Sequence, residues 1–205
     1  MKIAIIGAGN VGGALAKGFA DAGHTVIIGA RDVNSDDVKS LLAQSPAISA
    51  TSISEAINLA ETVVISTPPD AAVKIAQDNP ALKYKTVIDA TNSVFRNPEP
   101  YKTAFEGIKA VTGCENVVKC FNTTGFENMA NPRYGDIGID MFMAGSSAEA
   151  KSVARKLSLD IGFEECYDFG GDDKAALLEQ FAMSWINLAI MQKHGRGIAF
   201  KLIRR

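Results

Sequence analysis

Three glycines near the N-terminus have the spacing of a dinucleotide-binding turn. The apolar run Ile3–Ile6 leads directly into Gly7-x-Gly9-x-x-Gly12, and an Ala- and Leu-rich helical pattern begins at Val11. In this order the first glycine permits a tight turn, the second lets the backbone approach a pyrophosphate, and the third lets the helix pack against the strand. The free N–H groups at the helix N-terminus then favour an anion. The segment predicts nucleotide binding, and a structural turn that binds nothing is the alternative.

The second apolar run should carry the residue that reads the ribose. It ends in Gly29-Ala30-Arg31-Asp32, with glycine where NAD enzymes usually carry an acid. The guanidinium of Arg31 offers a planar fork to a 2′-phosphate, and no carboxylate at position 29 repels it. This pattern favours NADP(H) over NAD. Asp32 could instead lie beside the ribose and favour NAD, although capping of the helix that begins near Ser35 is the preferred interpretation.

A sheet is needed to position these residues, and the sequence predicts one. Short apolar runs alternate with helical patterns, which is typical of the α/β class with a Rossmann-type doubly wound, mostly parallel sheet. Candidate strands are Ile3–Ile6, Thr25–Ile28, Ile48–Thr51, Thr62–Ser66, Thr86–Asp89, Val117–Phe121, Ile139–Ala144 and Glu164–Phe169. Candidate helices are Val11–Ala22, Asp36–Ala43, Ile53–Leu59, Asp70–Asn79, Tyr101–Thr112, Ala148–Ile161 and a long one from Asp173 to about Lys193. We expect a dinucleotide-binding domain at 1–121 and a small C-terminal lobe at 122–205, which could extend the same sheet and supply substrate-side and dimer contacts.

Composition limits the other partners. A net charge of −2 in 205 residues gives no sign of nucleic acid or of an anionic membrane surface. No apolar run approaches the roughly 18 residues of a membrane span. Three cysteines, Cys114, Cys120 and Cys166, without a CxxC pair argue against a disulfide framework or a zinc site. We therefore expect no metal and a cytoplasmic protein whose partner is a small molecule.

Polar residues follow three of the candidate strands, at the ends where ligands of open α/β sheets bind. The three segments are Ser66–Asp70, Asp89–Ser93 and Asn122–Gly125. We expect them to converge on the nicotinamide half of a cofactor, although each could simply cap the helix that follows. The residues assigned to the cofactor are Thr67, Pro68, Ala90, Thr91 and Asn92, and those assigned to a substrate are Asn122, Thr123, Thr124 and His194.

Groups that could exchange a proton are scarce. His24 is interpreted as a structural hydrogen-bonding residue, and His194, at the end of the last helix, more as a capping residue than as a substrate ligand. Lys119 could donate a proton, but a solvated lysine is the preferred interpretation. Trp185 belongs to an apolar stripe of the core or a dimer interface, with ring binding as the alternative. Carbonyl reduction needs a positioned proton donor, whereas transfer between two stacked rings does not. No catalytic side chain is therefore predicted.

Over nearly its whole length the chain resembles the F420-dependent NADP reductases, which move hydride between NADP and a deazaflavin. The matching segments are Ile6–Gly12, Gly29–Arg31, Thr67–Pro68, His194–Gly197 and Phe200–Leu202. The resemblance implies that NADP is held by Gly7, Gly9, Asn10, Val11, Gly12, Ala30 and Arg31. It further implies that Thr67 and Pro68 lie beside the nicotinamide and that the protein pairs as a homodimer.

One segment departs from this family. Where the deazaflavin enzymes carry a His-Thr-Ile-Pro type of sequence, this chain has Asn122-Thr123-Thr124-Gly125. The string that begins at Lys119 is similar to the reductase domain of membrane metalloreductases, which passes hydride from NADPH to a flavin. The second carrier is therefore F420, FMN or FAD, or a small molecule takes its place. The alternatives are an NADPH-dependent reductase of a small imine or carbonyl, with pyrroline-carboxylate reductases as the pattern, and a non-catalytic NADP(H) sensor.

Overall fold

A computed structural model describes all residues from Met1 to Arg205. Six parallel strands form the main sheet in the order β3-β2-β1-β4-β5-β6. Their bounds are β1 Lys2–Ile6, β2 Thr25–Ala30, β3 Ile48–Ser52, β4 Thr62–Ile65, β5 Thr86–Asp89 and β6 Val117–Lys119. The chain order reverses between β1 and β4, where ligands of doubly wound sheets bind. The Rossmann-type fold predicted from the sequence is confirmed.

Helices cover both faces of this sheet. They are α1 Asn10–Asp21, α2 Asp36–Leu42, α3 Ile53–Leu59, α4 Pro69–Asp78, α5 Ala104–Thr112, α6 Phe126–Ala130, α7 Ala148–Asp160 and α8 Ala175–Ile186. Successive residues of β1 point to opposite faces. Ile3 and Ile5 pack in a core with Leu15 and Phe19 of α1, whereas Ile6 packs in a second core on the other face. The near-continuous apolar strands arise because both faces are buried.

The C-terminal part adds three short pairings. β7 Arg133–Tyr134 and β8 Ile137–Gly138 form an antiparallel hairpin, and β9 Met141–Met143 pairs in parallel with β10 Cys166–Asp168. An antiparallel bridge between Lys119 and Ala144 joins this part to the edge of the main sheet. The domain boundary between residues 121 and 122 stays a prediction.

Several predicted boundaries differ from the structure. The strand expected to run to Phe121 ends at Lys119, and Phe121 has a φ of +59°, outside the strand region. The helix expected from Tyr101 begins at Ala104, because the hydroxyl of Thr103 accepts the Glu106 N–H as an N-cap. Two-residue strands such as β7 and β8 were not predicted, since they are too short to show a period.

The last helix is also shorter than expected. A short 3₁₀ turn at Asp172–Lys174 precedes α8, which ends at Ile186 and continues as a π-helical turn over Asn187–Met191. No helix of the chain has the length and apolar character needed to cross a membrane. The three cysteines are free and buried.

Candidate functional site

The glycine turn leaves space on one side and none on the other. Gly7 has a φ of +115°, which side-chain-bearing residues rarely adopt. A Cβ atom on Gly12 would lie 1.9 Å from the carbonyl oxygen of Gly7, so α1 can approach the turn only with glycine there. A Cβ atom on Gly9 would meet nothing within 4 Å. Gly9 therefore borders the open space in which a ligand could approach the backbone.

The N-terminus of α1 is free of protein caps. Gly9 is its N-cap residue and provides no side-chain hydrogen bond, and no acidic residue lies in the first turn. The first N–H groups of a helix have no intrahelical partner, and the helix dipole adds positive potential there. Asn10, Val11 and Gly12 form this first turn, as the predicted anion site requires.

The end of β2 corrects two details of the sequence interpretation. The strand continues to Ala30, so Gly29 lies inside it and not at its tip. A Cβ atom on Gly29 would lie 2.6 Å from Ile6 and 3.1 Å from Ala56, so tight packing requires the glycine. Asp32 does not cap α2, because its carboxylate accepts the N–H of Asn34 at 2.9 Å, in a turn before the helix.

The guanidinium of Arg31 has no partner within the protein. The side chain is exposed and makes no hydrogen bond or ion pair, whereas Asp32 is held by its own turn. A guanidinium without a carboxylate partner keeps its donors available for an anion. Arg31 is therefore a free cation at the end of β2.

The end of β4 holds an unpaired hydroxyl. The Oγ1 atom of Thr67 is buried and has no hydrogen-bond partner. The neighbouring Ser66 hydroxyl donates to the carbonyl groups of Ile6 and Gly7 at 3.2 and 3.3 Å, which ties this end to the glycine turn. A buried hydroxyl without a partner costs free energy, so Thr67 gains from a ligand that offers a polar group.

These ends enclose one cleft of about 930 Å³. Its lining includes six of the predicted cofactor residues, namely Gly7, Gly9, Ala30, Arg31, Thr67 and Pro68. The predicted residues after β5 and β6 are not part of the lining, and neither is His194. The structure thus brings the glycine turn, the β2 end and the β4 end together.

The ends of β5 and β6 are linked to each other. Asn92 donates to the carbonyl of Asn122 at 2.9 Å, and the Asn122 amide donates back to the Asn92 Oδ1 atom at 3.0 Å. Thr123 bonds to Met141, and Thr124 accepts from Asn128 at 2.7 Å. Ala90 and Thr91 are buried beside them. These predicted residues form one polar, uncharged set.

His194 lies apart from that set. The residue is exposed, its backbone N–H donates to the Leu188 carbonyl at 3.2 Å, and its side chain makes no hydrogen bond. His24, the other histidine, is buried and bonds to Asp160 at 2.9 Å and to the N-terminal amine of Met1 at 3.1 Å. The structural role expected for His24 is confirmed.

Lys119 is not solvated, contrary to the preferred sequence interpretation. It is completely buried, and its ammonium lies 2.8 Å from Asp89 and 2.7 Å from Glu179. It also donates to the Thr91 carbonyl at 2.8 Å. Burial lowers the pKa of Lys119, but the two carboxylates raise it by more, so the net pKa is raised and the ammonium stays charged. The hydrogen bonds to Asp89 and Thr91 and the ion pair with Glu179 direct the ammonium of Lys119 toward protein groups.

Trp185 is a core residue, as the default interpretation held. Its indole N–H donates to the Ile198 carbonyl at 2.6 Å, and its ring lies so close to Gly125 that a Cβ atom there would be 2.8 Å away. Arg196 stacks over the same ring at 5.3 Å and pairs with Glu127. The chain after α8 is thereby fastened to the segment that follows β6.

The described residues fit a dinucleotide with a 2′-phosphate. Gly9 leaves room for a pyrophosphate at the α1 N-terminus, Arg31 is a free cation at the β2 end, and Thr67 offers an unpaired hydroxyl. No cluster of three or more metal-ligating side chains is present.

Comparisons with known proteins find similar sequences and structures. Residues 2–93 match the family model described as NADP oxidoreductase, coenzyme F420-dependent. The resemblance to F420-dependent NADP reductases is confirmed. The matched segment contains the glycine turn and the ends of β2, β4 and β5, and it stops before Lys119 and the whole C-terminal part.

Solved structures resemble the whole chain. A protein from Arthrobacter sp. FB24, provisionally assigned as an F420-dependent NADP reductase, is 27% identical with a TM-score of 0.85, and the match covers 100% of both chains. An imine reductase from Streptomyces aurantiacus is 20% identical with a TM-score of 0.71. A reductive aminase from Aspergillus terreus, in complex with NADPH and ethyl-5-oxohexanoate, is 20% identical with a TM-score of 0.69.

The last two similarities concern the fold alone. Each covers 94% of this chain, which spans only 64% of the imine reductase and 62% of the reductive aminase. The prediction of an NADP-dependent oxidoreductase is confirmed at the level of class.

Proposed function

We propose that this protein transfers hydride between NADP(H) and a second planar carrier, either the deazaflavin F420 or a flavin such as FMN or FAD. The observation that carries the proposal is the cleft in which an open glycine turn faces an unpaired arginine, within a segment that matches the F420-dependent family. The bound nicotinamide supplies the hydride chemistry, and the protein supplies binding and orientation.

Three groups of residues would hold the cofactor. The N–H groups of Asn10 and Val11 bind the pyrophosphate, with Gly9 giving the necessary approach. Arg31 forms a charge-assisted pair with the 2′-phosphate. Thr67 bonds to the nicotinamide end through its unpaired hydroxyl, while Pro68 is the N-cap residue of α4 and has no N–H that would need a partner.

The polar set after β5 and β6 supports a ring as the second reactant. Asn92, Asn122, Thr123 and Thr124 carry amides and hydroxyls without charge, and Lys119 is buried against protein acceptors. No histidine lies among them. A carbonyl substrate would need a proton donor at this place, whereas a stacked ring needs only orientation and exclusion of water.

The test measures the oxidation of NADPH through the loss of its nicotinamide absorbance. F420, FMN, FAD and ferric chelate are offered as acceptors in separate assays, and each assay is repeated with NADH in place of NADPH. We expect oxidation with F420 or a flavin, and much slower oxidation of NADH. Tight NADPH binding without oxidation by any acceptor would contradict the hydride transfer and favour a sensor.

A reductase of small imines is the second candidate. The structural similarity to an imine reductase and a reductive aminase favours it. Against it, this chain spans less than two thirds of either protein, and α8 has only 12 residues. NADPH oxidation with a cyclic imine, but with no planar carrier, would replace our proposal by this one.

A homodimer is part of the proposal. Leu188 and Met191, at the end of the last helix, are 37% and 49% exposed, which leaves apolar surface available for pairing. The mass in solution, measured by light scattering, should be twice that of the 21.7 kDa chain.

A further inference from the structure

A buried cluster of charges lies at the carboxyl ends of β5 and β6. The charge cluster consists of Lys119, Asp89 and Glu179, whose side chains are 0%, 0% and 5% exposed. The ammonium is 2.8 Å from Asp89 and 2.7 Å from Glu179. One cation thus faces two anions, and the formal charge of the cluster is −1.

The charge cluster also fixes the backbone that follows β5. Asp89 accepts the N–H of Thr91 at 2.9 Å, and Glu179 accepts the N–H of Ser93 at 2.9 Å. Lys119 donates to the Thr91 carbonyl at 2.8 Å. Asn92, between these two anchored residues, reaches Asn122. Part of the proposed acceptor side is therefore held by residues of opposite charge.

The charge cluster lies close to the candidate nicotinamide end of the cleft. Asp89 pairs in register with Ile65 of β4, two residues before Thr67, and Lys119 pairs with Asp89. Neighbouring strands are about 4.8 Å apart, so the cluster is roughly one or two strand spacings from the β4 end. No cation other than Lys119 contacts either carboxylate.

We propose that the negative charge of this cluster favours the oxidised cofactor over the reduced one. The inference rests on the proposed function. A nicotinamide ring is cationic in NADP⁺ and neutral in NADPH, so a fixed anionic charge nearby stabilises the oxidised form selectively. Such charges act strongly where water is excluded and the protein groups are already oriented. A cluster with only a structural role would affect both forms equally.

Two variants of Glu179 separate charge from structure. Glu179→Gln keeps the shape, leaves Lys119 with one carboxylate, and brings the cluster to zero charge. Glu179→Asp keeps the charge and shortens the side chain. We measure the dissociation constants of NADP⁺ and NADPH by calorimetry and fluorescence, without turnover.

The expected result is a selective loss of NADP⁺ binding in Glu179→Gln. The ratio of the NADP⁺ constant to the NADPH constant should rise about three- to fifteenfold, the effect of one charge at roughly 10 Å with an effective dielectric constant of about 20 to 40. In Glu179→Asp the ratio should change by less than about twofold, even if both forms bind more weakly, since the cluster charge is retained.

Asp172→Asn is the control for loss of a charge elsewhere. Asp172 pairs with Lys109 and accepts a backbone N–H from Ser146, but it lines a different cavity. Its removal should leave the ratio unchanged. Asp89→Asn is a second test of the cluster and should raise the ratio as Glu179→Gln does.

The remaining outcomes contradict either this inference or the proposed function. An unchanged ratio in folded Glu179→Gln, with normal wild-type binding, overturns this inference alone. Failure of both Glu179→Gln and Asp89→Asn to fold would make the cluster a stability element and also overturn it. If the wild type binds neither form, the proposed function fails, and this inference fails with it.

Discussion

The carbonyl oxygen of Gly7 lies where a side chain at Gly12 would begin, only 1.9 Å from the position of its Cβ atom. Gly9, between them in the sequence, faces open space. One turn therefore contains a glycine that close packing requires and a glycine that borders open space, where we propose that a ligand approaches. Substitutions at the two positions should have separable effects.

Gly12→Ala should destabilise the protein, whereas Gly9→Val should only prevent cofactor binding. The first places a methyl group against the carbonyl oxygen of Gly7 and should lower the free energy of unfolding by about 3 kcal/mol. The second places a side chain in the proposed pyrophosphate space, at an extended backbone conformation that valine accepts. Urea unfolding and NADPH titration check the pair. Normal titration of folded Gly9→Val would show that the turn is not the site.

Arg31→Ala should weaken NADP⁺ binding about tenfold to a hundredfold and leave NAD⁺ binding nearly unchanged, because a charge-assisted hydrogen bond to the 2′-phosphate is lost. Asp32→Asn, its neighbour, should have a smaller effect, since Asp32 is engaged with Asn34. Dissociation constants for both cofactors provide the measurement. Equal losses for the two cofactors would remove the 2′-phosphate assignment.

Thr67→Val should have opposite effects on stability and binding. The Thr67 hydroxyl is buried without a partner, so an isosteric methyl group should raise the free energy of unfolding of the unliganded protein by about 1 kcal/mol. The same change should weaken NADPH binding. Thermal unfolding with and without NADPH checks both effects, and a variant that gains stability but binds normally would exclude the hydroxyl from the site.

Lys119→Met should be among the most destabilising single changes in the chain. It leaves Asp89 and Glu179 buried without their cation, and such a loss costs about 3–5 kcal/mol. Lys17→Met, which breaks an exposed pair with Asp21, should cost less than about 1 kcal/mol. Urea unfolding compares the two, and similar midpoints would contradict the importance of the buried cluster.

Acid should reduce stability in part through Asp172. Partial burial raises the pKa of Asp172, but Lys109 and the backbone of Ser146 lower it by more, so the folded pKa lies below the ordinary 3.8. Its contribution is present above pH 3.8 and is lost as the pH falls through the lower, folded value. Asp172→Asn should flatten the dependence of unfolding free energy on pH below about 4. If the unfolding free energies of the wild type and of Asp172→Asn fell equally as the pH drops below about 4, this role of Asp172 would be contradicted.

The first half of the site could be predicted from the sequence because its signals are local. The three glycines and Arg31 each belong to a signal of a few consecutive residues. In the structure, Gly7, Gly9 and Arg31 line the same cleft. Lys119 could not be predicted in the same way. Its partners lie 30 residues before it, at Asp89, and 60 residues after it, at Glu179. Only the pairing of β5 with β6 and the packing of α8 bring them into contact.

A sequence pattern also does not show whether a glycine is present because an acid is absent or because a larger side chain would not fit. Gly29 was interpreted as the absence of an acid, yet a Cβ atom there would lie 2.6 Å from Ile6 and 3.1 Å from Ala56, so a side chain fits only if these neighbours move. The last residue of the strand is Ala30, which lines the cleft together with Gly29 and also packs against the core. The predicted strand ended two residues too early, at Ile28, and with the strand extended to Ala30 the glycine is explained by packing inside the strand.

Gly29 also restricts how the nucleotide preference of this protein could evolve. A carboxylate at position 29, as in an NAD-type site, would require the Ile6 side chain or α3 to move, so it would carry a packing cost. Packing around the strand end thus adds a cost to any single substitution that would place an acid at position 29.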